Sequence, residues 1–576
     1  MVRSNEYIPP INPKYEERLK MLKIALEEVN RPEDFDNLVE LLAPPIDITN
    51  INSTGKCKGI KVGIIGGGVA GLASAFELRK LGFNITIFET EYSRIGGRIY
   101  TYYFDKRKKL YGELGAMRIP ISHETVWHYI DLFNLKTRPF IQNDENTFIY
   151  VRNKRARNDL EGKSVMEKIY PEFNLTPEER RTPWQEMLKY TLSRNLLKIS
   201  PSIRKELIEI KENYNRILEY FDSLNIREVF EEMGLSKGAI DMLSGVNSFL
   251  GNFYYNSYFE NLQDEYTVNY AYRYEIVNGY VKIPLAFYNS FMEKDPKEYS
   301  NIKAEDLGKV FLKNGKTVIG IYKSDKNNKV VLRYKDERTL EVKNEEFDFV
   351  ICTIPFSSLR NVEIYPMFSN EKMQAIKELN YASIQKTAFV CKERFWQRGG
   401  PHEKIIGGGS YTDEVVGSIW YPFYDDSRKI ENRKKFNKKK NYRNNRGILL
   451  SSYNLNQDAI RLGNLEESRR FELIKRQVEN VHGLQEGELD SIVEDYKTVL
   501  WDKEKGFYGG VCYNKPGQQK LFLYASAKPE YDNRVYFAGE HVSVSHGWVQ
   551  GALSSAMKAA NDIAEYCKVM SSNSMK

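Results

Sequence analysis

The pattern of hydrophobic and polar positions predicts a strand–turn–helix–strand unit early in the chain. For residues 1–57 the pattern predicts an extended arm and a helix over 14–28. A proline-rich segment then leads to the apolar run 60–65. That run ends in glycines, a helix is predicted over 70–81, and a second apolar run at 83–88 ends at Glu89. This order of elements is one βαβ unit.

Helical periodicity dominates the charged stretch 160–262, where we predict an all-helical insertion. Five apolar positions repeat there at alternating steps of three and four, which places them on one face of a helix. They are Leu207, Ile210, Tyr214, Ile217 and Phe221.

Alternating patterns predict strands in most of the remaining chain. The predicted strands lie over 316–325, 329–336, 347–355, 380–425 and 447–453, with a turn at Asn327 and Asn328. The stretch 535–566 predicts a strand, a glycine turn and a long helix.

Composition excludes several classes of protein. With 576 residues, of which 41% are hydrophobic and 13% aromatic, the chain is too long for one core and too apolar for disorder, so two or three domains are expected. The 85 basic residues nearly balance 78 acidic ones, which argues against a nucleic-acid partner. The strongly basic segment 428–446 is either a solvated loop or a contact patch for an acidic partner.

The expected location is the cytoplasm, without a membrane partner. The five cysteines form no CxxC pair, which gives no metal signature and is typical of a reducing compartment. The N-terminal segment has no apolar core of a secretory signal, and no apolar run is long enough for a membrane helix.

The first chemical motif is a dinucleotide turn. Gly66, Gly68 and Gly71 match GxGxxG between a predicted strand and helix. The first glycine makes the tight turn, the second lets the backbone approach a diphosphate, and the third lets the helix pack on the strand. Glu89 ends the next strand, where a carboxylate accepts hydrogen bonds from ribose hydroxyls.

Two further segments favour FAD over NAD. Gly96 and Gly97, flanked by Arg94 and Arg98, form a second glycine loop that can cover the diphosphate of an extended cofactor. Near the C-terminus, a predicted strand ends at Gly539-Glu540, which would return the chain to the cofactor.

Together these blocks resemble the flavin amine oxidase superfamily from about residue 61 to 563, and most closely the cytosolic, bacterial type of L-amino acid oxidase. The resemblance implies an α/β fold with a Rossmann-like FAD-binding domain, a mixed-sheet substrate domain and an all-helical insertion. The implied segments are an N-terminal arm and helix that pack on the substrate domain (1–57), the FAD-binding domain (58–111, 265–360 and 501–568), the substrate domain (112–160 and 361–500) and the helical domain (161–264).

The resemblance also implies a substrate site. Arg118, in the segment 112–120, resembles the arginine that holds the substrate carboxylate, and Tyr421 resembles a second carboxylate ligand, with Trp420 as a possible one-residue alternative. Gly547 and Trp548 resemble the residues that meet the amino group and wall the cavity. Lys386 resembles a lysine that holds a water against flavin N5.

The cofactor contacts implied by the motifs and the resemblance span the whole chain. They are Gly66, Gly68, Val69, Ala70, Gly71, Glu89, Arg94, Gly96, Gly97, Arg98, Gly115, Ala116, Met117, Arg118, Val318, Trp501, Gly539, Glu540, Trp548 and Val549. No residue is expected to bind a metal. Cys512 lies one residue out of register with the cysteine that bonds flavin in monoamine oxidases, so non-covalent FAD is expected.

The implied activity is oxidative deamination of an L-amino acid, large and apolar or aromatic, to a 2-oxo acid, ammonia and hydrogen peroxide, with hydride transfer from Cα to flavin N5. The partners are therefore the amino acid and dioxygen, and a homo-oligomer is possible. The alternatives are an amino-acid 2-monooxygenase that yields an amide, a monoamine or polyamine oxidase, and a non-enzymatic flavin-binding protein. No histidine lies between His128 and His402, so the helical segment supplies no histidine base.

Overall fold

A computed structural model describes residues 7–324, 327–424 and 446–573. All of the basic segment 428–446 except its last residue lies outside the described residues. The predicted βαβ unit is confirmed as strand Lys61–Ile65, helix Val69–Arg79 and strand Asn84–Glu89, with the two strands paired in parallel. The helix ends two residues earlier than predicted.

A five-stranded parallel sheet forms the centre of the cofactor-binding part. Its strands, in spatial order, are Val310–Asn314, Asn84–Glu89, Lys61–Ile65, Phe349–Cys352 and Val535–Phe537. They come from all three segments assigned to the FAD-binding domain. Side chains are buried along the central strands, as expected for a parallel sheet covered on both faces.

Different layers cover the two faces of this sheet. Helix Val69–Arg79 packs beside the last helix, Val549–Asn573, on one face. A four-stranded sheet lies on the other, where a Cβ on Gly63 would approach Leu332 and Phe347 within 2.9 Å. Its strands are Val342–Phe347, Val330–Asp336, Lys316–Lys323 and Glu363–Tyr365.

A seven-stranded mixed sheet forms the substrate part. In spatial order its strands are Val493–Leu500, Ile384–Cys391, Gly447–Leu455, Ser418–Trp420, Gly409–Thr412, Phe148–Val151 and Lys154–Arg157. Smaller sheets join Ile119–Pro120 with Arg273–Ile276 and Thr137–Pro139, Thr101–Tyr103 with Tyr111–Glu113, and Tyr381–Ala382 with Val511–Cys512. Strand Arg273–Ile276 thus pairs with substrate-domain strands, although its segment was assigned to the FAD-binding domain. The other segment boundaries stay predictions.

Short helices fill the predicted helical insertion. They are Lys163–Lys168, Trp184–Lys198, Pro201–Arg204, Arg216–Ser223, Ile226–Glu232, Lys237–Val246, Ser248–Phe253 and Tyr258–Tyr266. The predicted single helical face through Leu207 and Phe221 is wrong, because residues 209–215 form no helix between them. Leu207, Tyr214 and Phe221 are nevertheless buried, whereas Ile217 is exposed.

The remaining helices surround the two large sheets. They are Tyr15–Glu28, Phe35–Leu41, Glu124–Leu132, Lys282–Met292, Phe356–Leu359, Asn370–Glu378, Asn456–Gly463, Glu467–His482, Glu488–Ile492 and Gln518–Ala527. The predicted N-terminal helix is confirmed, and its Arg18 pairs with Glu124 across 3.0 Å. Within the described ranges, no helix is long and apolar enough to span a membrane.

Candidate active site

A cavity of about 390 Å³ runs past the carboxyl ends of the parallel strands toward the seven-stranded sheet. This edge of an open α/β sheet is where ligands bind, because loops and helix N-termini converge there. Most predicted site residues line it: Gly66, Gly68, Val69, Ala70, Glu89, Gly96, Gly97, Arg98, Gly115, Ala116, Val318, Lys386, Trp501, Gly539, Glu540, Gly547, Trp548 and Val549.

The glycine turn is fixed by close backbone contacts. Gly66 has φ +108°, a conformation that favours glycine. A Cβ on Gly71 would lie 2.1 Å from the Gly66 carbonyl oxygen, so this glycine packs the helix on the strand rather than lining the cavity. A Cβ on Gly68 would meet only Gly97 Cα, at 3.9 Å. The second glycine therefore borders open space between the two glycine loops.

Glu89 lies at the floor of the cavity beneath this turn. Its two carboxylate oxygens accept backbone hydrogen bonds from Gly67 and Glu91, both at 2.8 Å. Burial raises the pKa of Glu89. A carboxylate has about four acceptor positions, so it can still accept hydrogen bonds from a ligand's hydroxyl groups.

The second glycine loop and the C-terminal loop are held together by one ion pair. Arg98 NH1 donates to Glu540 Oε1 at 2.7 Å and to the Gly510 carbonyl at 3.0 Å, while Gly547 N donates to Glu540 Oε2 at 2.8 Å. Arg94 does not line the cavity, contrary to its prediction as a cofactor contact. It donates to the Gly97 carbonyl at 2.6 Å and thereby supports the loop from behind.

Lys386 lines the cavity from a buried strand. Its Nζ donates to the Gly115 carbonyl at 2.7 Å and contacts the Met117 sulfur at 3.6 Å. Met117 therefore supports Lys386 instead of lining the cavity as predicted. Burial, and then the nearby charge of Arg118, lower the pKa of Lys386 to about 7. The amine can therefore gain or lose a proton near neutral pH.

Arg118 does not line the cavity, but its charge lies close enough to lower the pKa of Lys386, which does. Its guanidinium stacks 4.7 Å from the Trp420 ring and donates to Gln142 Oε1 at 3.1 Å. Within the described part of the chain it forms no ion pair with a carboxylate. The predicted cofactor contact of Arg118 is thus not seen, but its group is free to bind an anion.

Tyr421 does not accompany Arg118, so the predicted pairing of these two residues is wrong. Successive strand residues point to opposite faces, and here Trp420 faces Arg118. The Tyr421 hydroxyl lies 2.8 Å from Ser410 Oγ and 2.9 Å from His482 Nε2, within a separate core cluster. The one-residue alternative, Trp420, is the residue that reaches the site.

Comparison with known proteins agrees with this geometry. The family model for flavin-containing amine oxidoreductases matches residues 69–564. The chain belongs to this family. This amine oxidoreductase is 28% identical over 545 residues to the L-amino acid oxidase bordonein-L of Crotalus durissus terrificus, which covers 93% of this chain and 92% of the relative. An L-amino-acid oxidase of Bothrops atrox is 27% identical over 542 residues, 93% of this chain and 94% of the relative.

Solved structures show the same fold. A putrescine oxidase bound to putrescine superposes with a TM-score of 0.63 at 15% identity, over 88% of this chain and 98% of that one. At this identity the likeness concerns the fold alone. It confirms the predicted α/β architecture.

The cavity of this amine oxidoreductase fits the flavin that its family contains. The open space at Gly68 and the buried Glu89 carboxylate suit a diphosphate and a ribose, and helix Val69–Arg79 points its N-terminus at that space. Val318 and Trp501 both line the cavity, and the Trp501 indole donates to the Leu114 carbonyl at 3.0 Å.

Three polar residues near the substrate end were missed by sequence reasoning. Gln142 Oε1 also accepts from Arg273 NH1 at 2.6 Å, so one amide joins two arginines. Asp264 Oδ1 accepts from the Trp548 indole at 3.0 Å. The sequence offered one signal for these residues, a charged side chain on a buried strand, namely Arg273 beside Tyr274.

Proposed function

We propose that this amine oxidoreductase binds FAD non-covalently and oxidises L-amino acids. The observation that carries the proposal is Arg118, a guanidinium close to the cavity-lining Lys386. It is held by a neutral amide and has no carboxylate partner among the described residues. An amine without a carboxylate would leave this charge unpaired, whereas an amino acid would neutralise it. The names of the relatives support the same substrate class.

The proposed reaction converts an amino acid, dioxygen and water to a 2-oxo acid, ammonia and hydrogen peroxide. A bound flavin supplies the two-electron acceptor. Arg118 anchors the carboxylate and thereby restricts how the Cα–H bond can lie, which lowers the barrier by positioning. Trp548 closes the cavity wall, and its indole is fixed by Asp264.

Lys386 handles protons in this scheme. Because the pKa of Lys386 is lowered to about 7, Nζ is protonated below that pH and is a free base above it. The hydrogen bond to the Gly115 carbonyl keeps Nζ at the cavity wall. We assign Lys386 to proton or water handling during reoxidation by dioxygen.

Non-covalent binding is supported by the side chain of Cys512. Gly510 and Val511 line the cavity, but Cys512 does not. Its side chain is fully buried in the cluster around Phe522 and Phe537. The thiol therefore faces away from the space where the cofactor would lie.

The test is to incubate the purified flavoprotein with each L-amino acid and with its decarboxylated amine, and to assay peroxide, 2-oxo acid and amide together. Equal amounts of peroxide and 2-oxo acid, from amino acids only, are expected. An amide product would identify a monooxygenase, and comparable oxidation of the amines would refute the role of Arg118.

A further inference from the structure

Arg273 is a buried arginine whose donors are not all used. It is 4% exposed and lies on strand Arg273–Ile276. Its Nε donates to the Asn269 carbonyl at 2.8 Å and NH1 donates to Gln142 Oε1 at 2.6 Å, but NH2 is buried and has no hydrogen-bond partner. A buried donor without a partner costs free energy, and a charged one costs more.

The charge of Arg273 is only partly compensated, since nearby Asp264 favours it but forms no ion pair with it. Arg273 and Arg118 share the single amide oxygen of Gln142, which is neutral, and the part of the chain that the structure describes provides neither guanidinium with an ion pair. Burial, and then the charge of Arg118, lower the pKa of Arg273 to about 9. Like charges held together in this way favour binding of anions.

Asp264, an acidic residue close to Arg273, does not pair with its guanidinium. Asp264 Oδ1 accepts from Asn269 Nδ2 at 2.8 Å and from the Trp548 indole, and Oδ2 accepts from the Tyr270 hydroxyl at 3.0 Å. All three donors are neutral, and burial raises the pKa of Asp264, which disfavours its charged form. Asp264 orients the residues around Arg273 and leaves NH2 for another acceptor.

The guanidinium groups of Arg118 and Arg273 stack on different aromatic side chains. Arg118 lies over Trp420, whereas Arg273 lies 4.4 Å from the Tyr270 ring and 5.6 Å from the Trp548 ring. A carboxylate bound to Arg118 in a bidentate manner would leave NH2 of Arg273 unpaired. Two carboxylates on one ligand would satisfy both guanidinium groups.

We infer that Arg273 forms a second carboxylate site and that the preferred substrates are dicarboxylic L-amino acids of the aspartate and glutamate class. This inference rests on the proposed function, since it assigns Arg118 to the α-carboxylate. It replaces the expectation of large apolar or aromatic substrates, because an apolar side chain would leave the buried NH2 still without an acceptor.

The experiment compares L-glutamate with L-glutamine and L-aspartate with L-asparagine, because each amide has nearly the shape of its acid but no charge. In the wild-type holoenzyme, kcat/KM should favour at least one acid over its amide by at least about 30-fold, the lower range for an unpaired buried charge. In Arg273→Met this preference should vanish. Arg194→Met is the matched control, because exposed Arg194 also stacks on a tyrosine, Tyr190, at 4.6 Å.

A binding measurement on the wild-type holoenzyme covers the case in which Arg273→Met does not fold. Glutarate, which carries no amino group, should perturb the flavin absorbance with a Kd at least about tenfold lower than glutaramate, its monoamide. Equal affinity for the two, or an acid-to-amide ratio unchanged in Arg273→Met, would overturn the second site. Oxidation of amines but of no amino acid would instead refute the proposed function.

Discussion

Replacing Gly68 by alanine should separate cofactor binding from folding. The backbone at Gly68 has φ −70° and ψ 172°, which alanine adopts without strain. The added Cβ would meet only Gly97 Cα, at 3.9 Å, so the apoprotein has room for it. The same methyl group would project into the space between the glycine loops, where the diphosphate would lie.

Two opposing free-energy contributions determine the stability of the Gly68→Ala apoprotein. Alanine restricts the unfolded chain, which stabilises the fold by about 0.4–1 kcal/mol, but it is a poorer N-cap than glycine for helix Val69–Arg79. We therefore expect stability within about 1 kcal/mol of wild type. Overpacking against the cofactor should cost about 1–3 kcal/mol, which is roughly a 5- to 150-fold increase in the Kd of FAD.

The assay is FAD titration of deflavinated protein, followed by flavin fluorescence, together with thermal unfolding of the apoprotein. Gly71→Ala is the contrasting variant, because its Cβ would lie 2.1 Å from the Gly66 carbonyl oxygen and should destabilise the apoprotein itself. Gly463→Ala is the control, since its Cβ would lie no closer than 3.5 Å to Leu500. Wild-type FAD affinity in Gly68→Ala would refute the placement of the diphosphate.

Five further outcomes follow from the site. Arg118→Met should lower kcat/KM for amino acids by at least about 30-fold while FAD remains bound, measured by peroxide release and absorbance. Wild-type activity should show a pH inflection near 7, from the pKa of Lys386, which burial and Arg118 lower to about 7. Lys386→Met should remove the contribution of the amine to that inflection, although burial also raises the pKa of neighbouring Glu113 to about 7. The variant should also slow reoxidation in rapid-mixing experiments, and an unchanged oxygen step would contradict the assignment of Lys386. Acid precipitation should leave the flavin in the supernatant, and flavin in the pellet of wild type but not of Cys512→Ala would show a covalent bond. Gln142→Glu should weaken acidic substrates more than neutral ones, because a built-in carboxylate would pair with both arginines, and an unchanged ratio of the two would count against the shared site.

The cofactor half of the site was predictable because its determinants are local. The glycine turn and the carboxylate of Glu89 lie within one βαβ unit, where strand and helix lengths fix their relative positions. The prediction for Tyr421 was wrong because it depended on the register of a strand. A one-residue shift on a strand exchanges its two faces, and the motif alone does not determine which neighbour faces Arg118.

Features that depend on long-range pairing were not predictable. Arg273 approaches Arg118 because strand Arg273–Ile276 pairs with both Ile119–Pro120 and Thr137–Pro139, and no periodicity reports such pairing. The apolar stripe from Leu207 to Phe221 satisfied a helical repeat, yet tertiary packing buries Tyr214 from a loop. Periodicity identified buried positions there, but not the backbone conformation that buries them.

The five-stranded sheet also constrains how the protein is made. Strand Lys61–Ile65 can pair early with Asn84–Glu89, but its other neighbour is Phe349–Cys352, and the edge strand Val535–Phe537 is synthesised later still. Contacts this distant in sequence slow folding, since much chain must be ordered before they form. A nascent chain on the ribosome would present the Gly66–Gly71 turn long before Glu540 emerges to meet Arg98. Stable capture of the cofactor is therefore expected only after the segment that carries Glu540 has emerged.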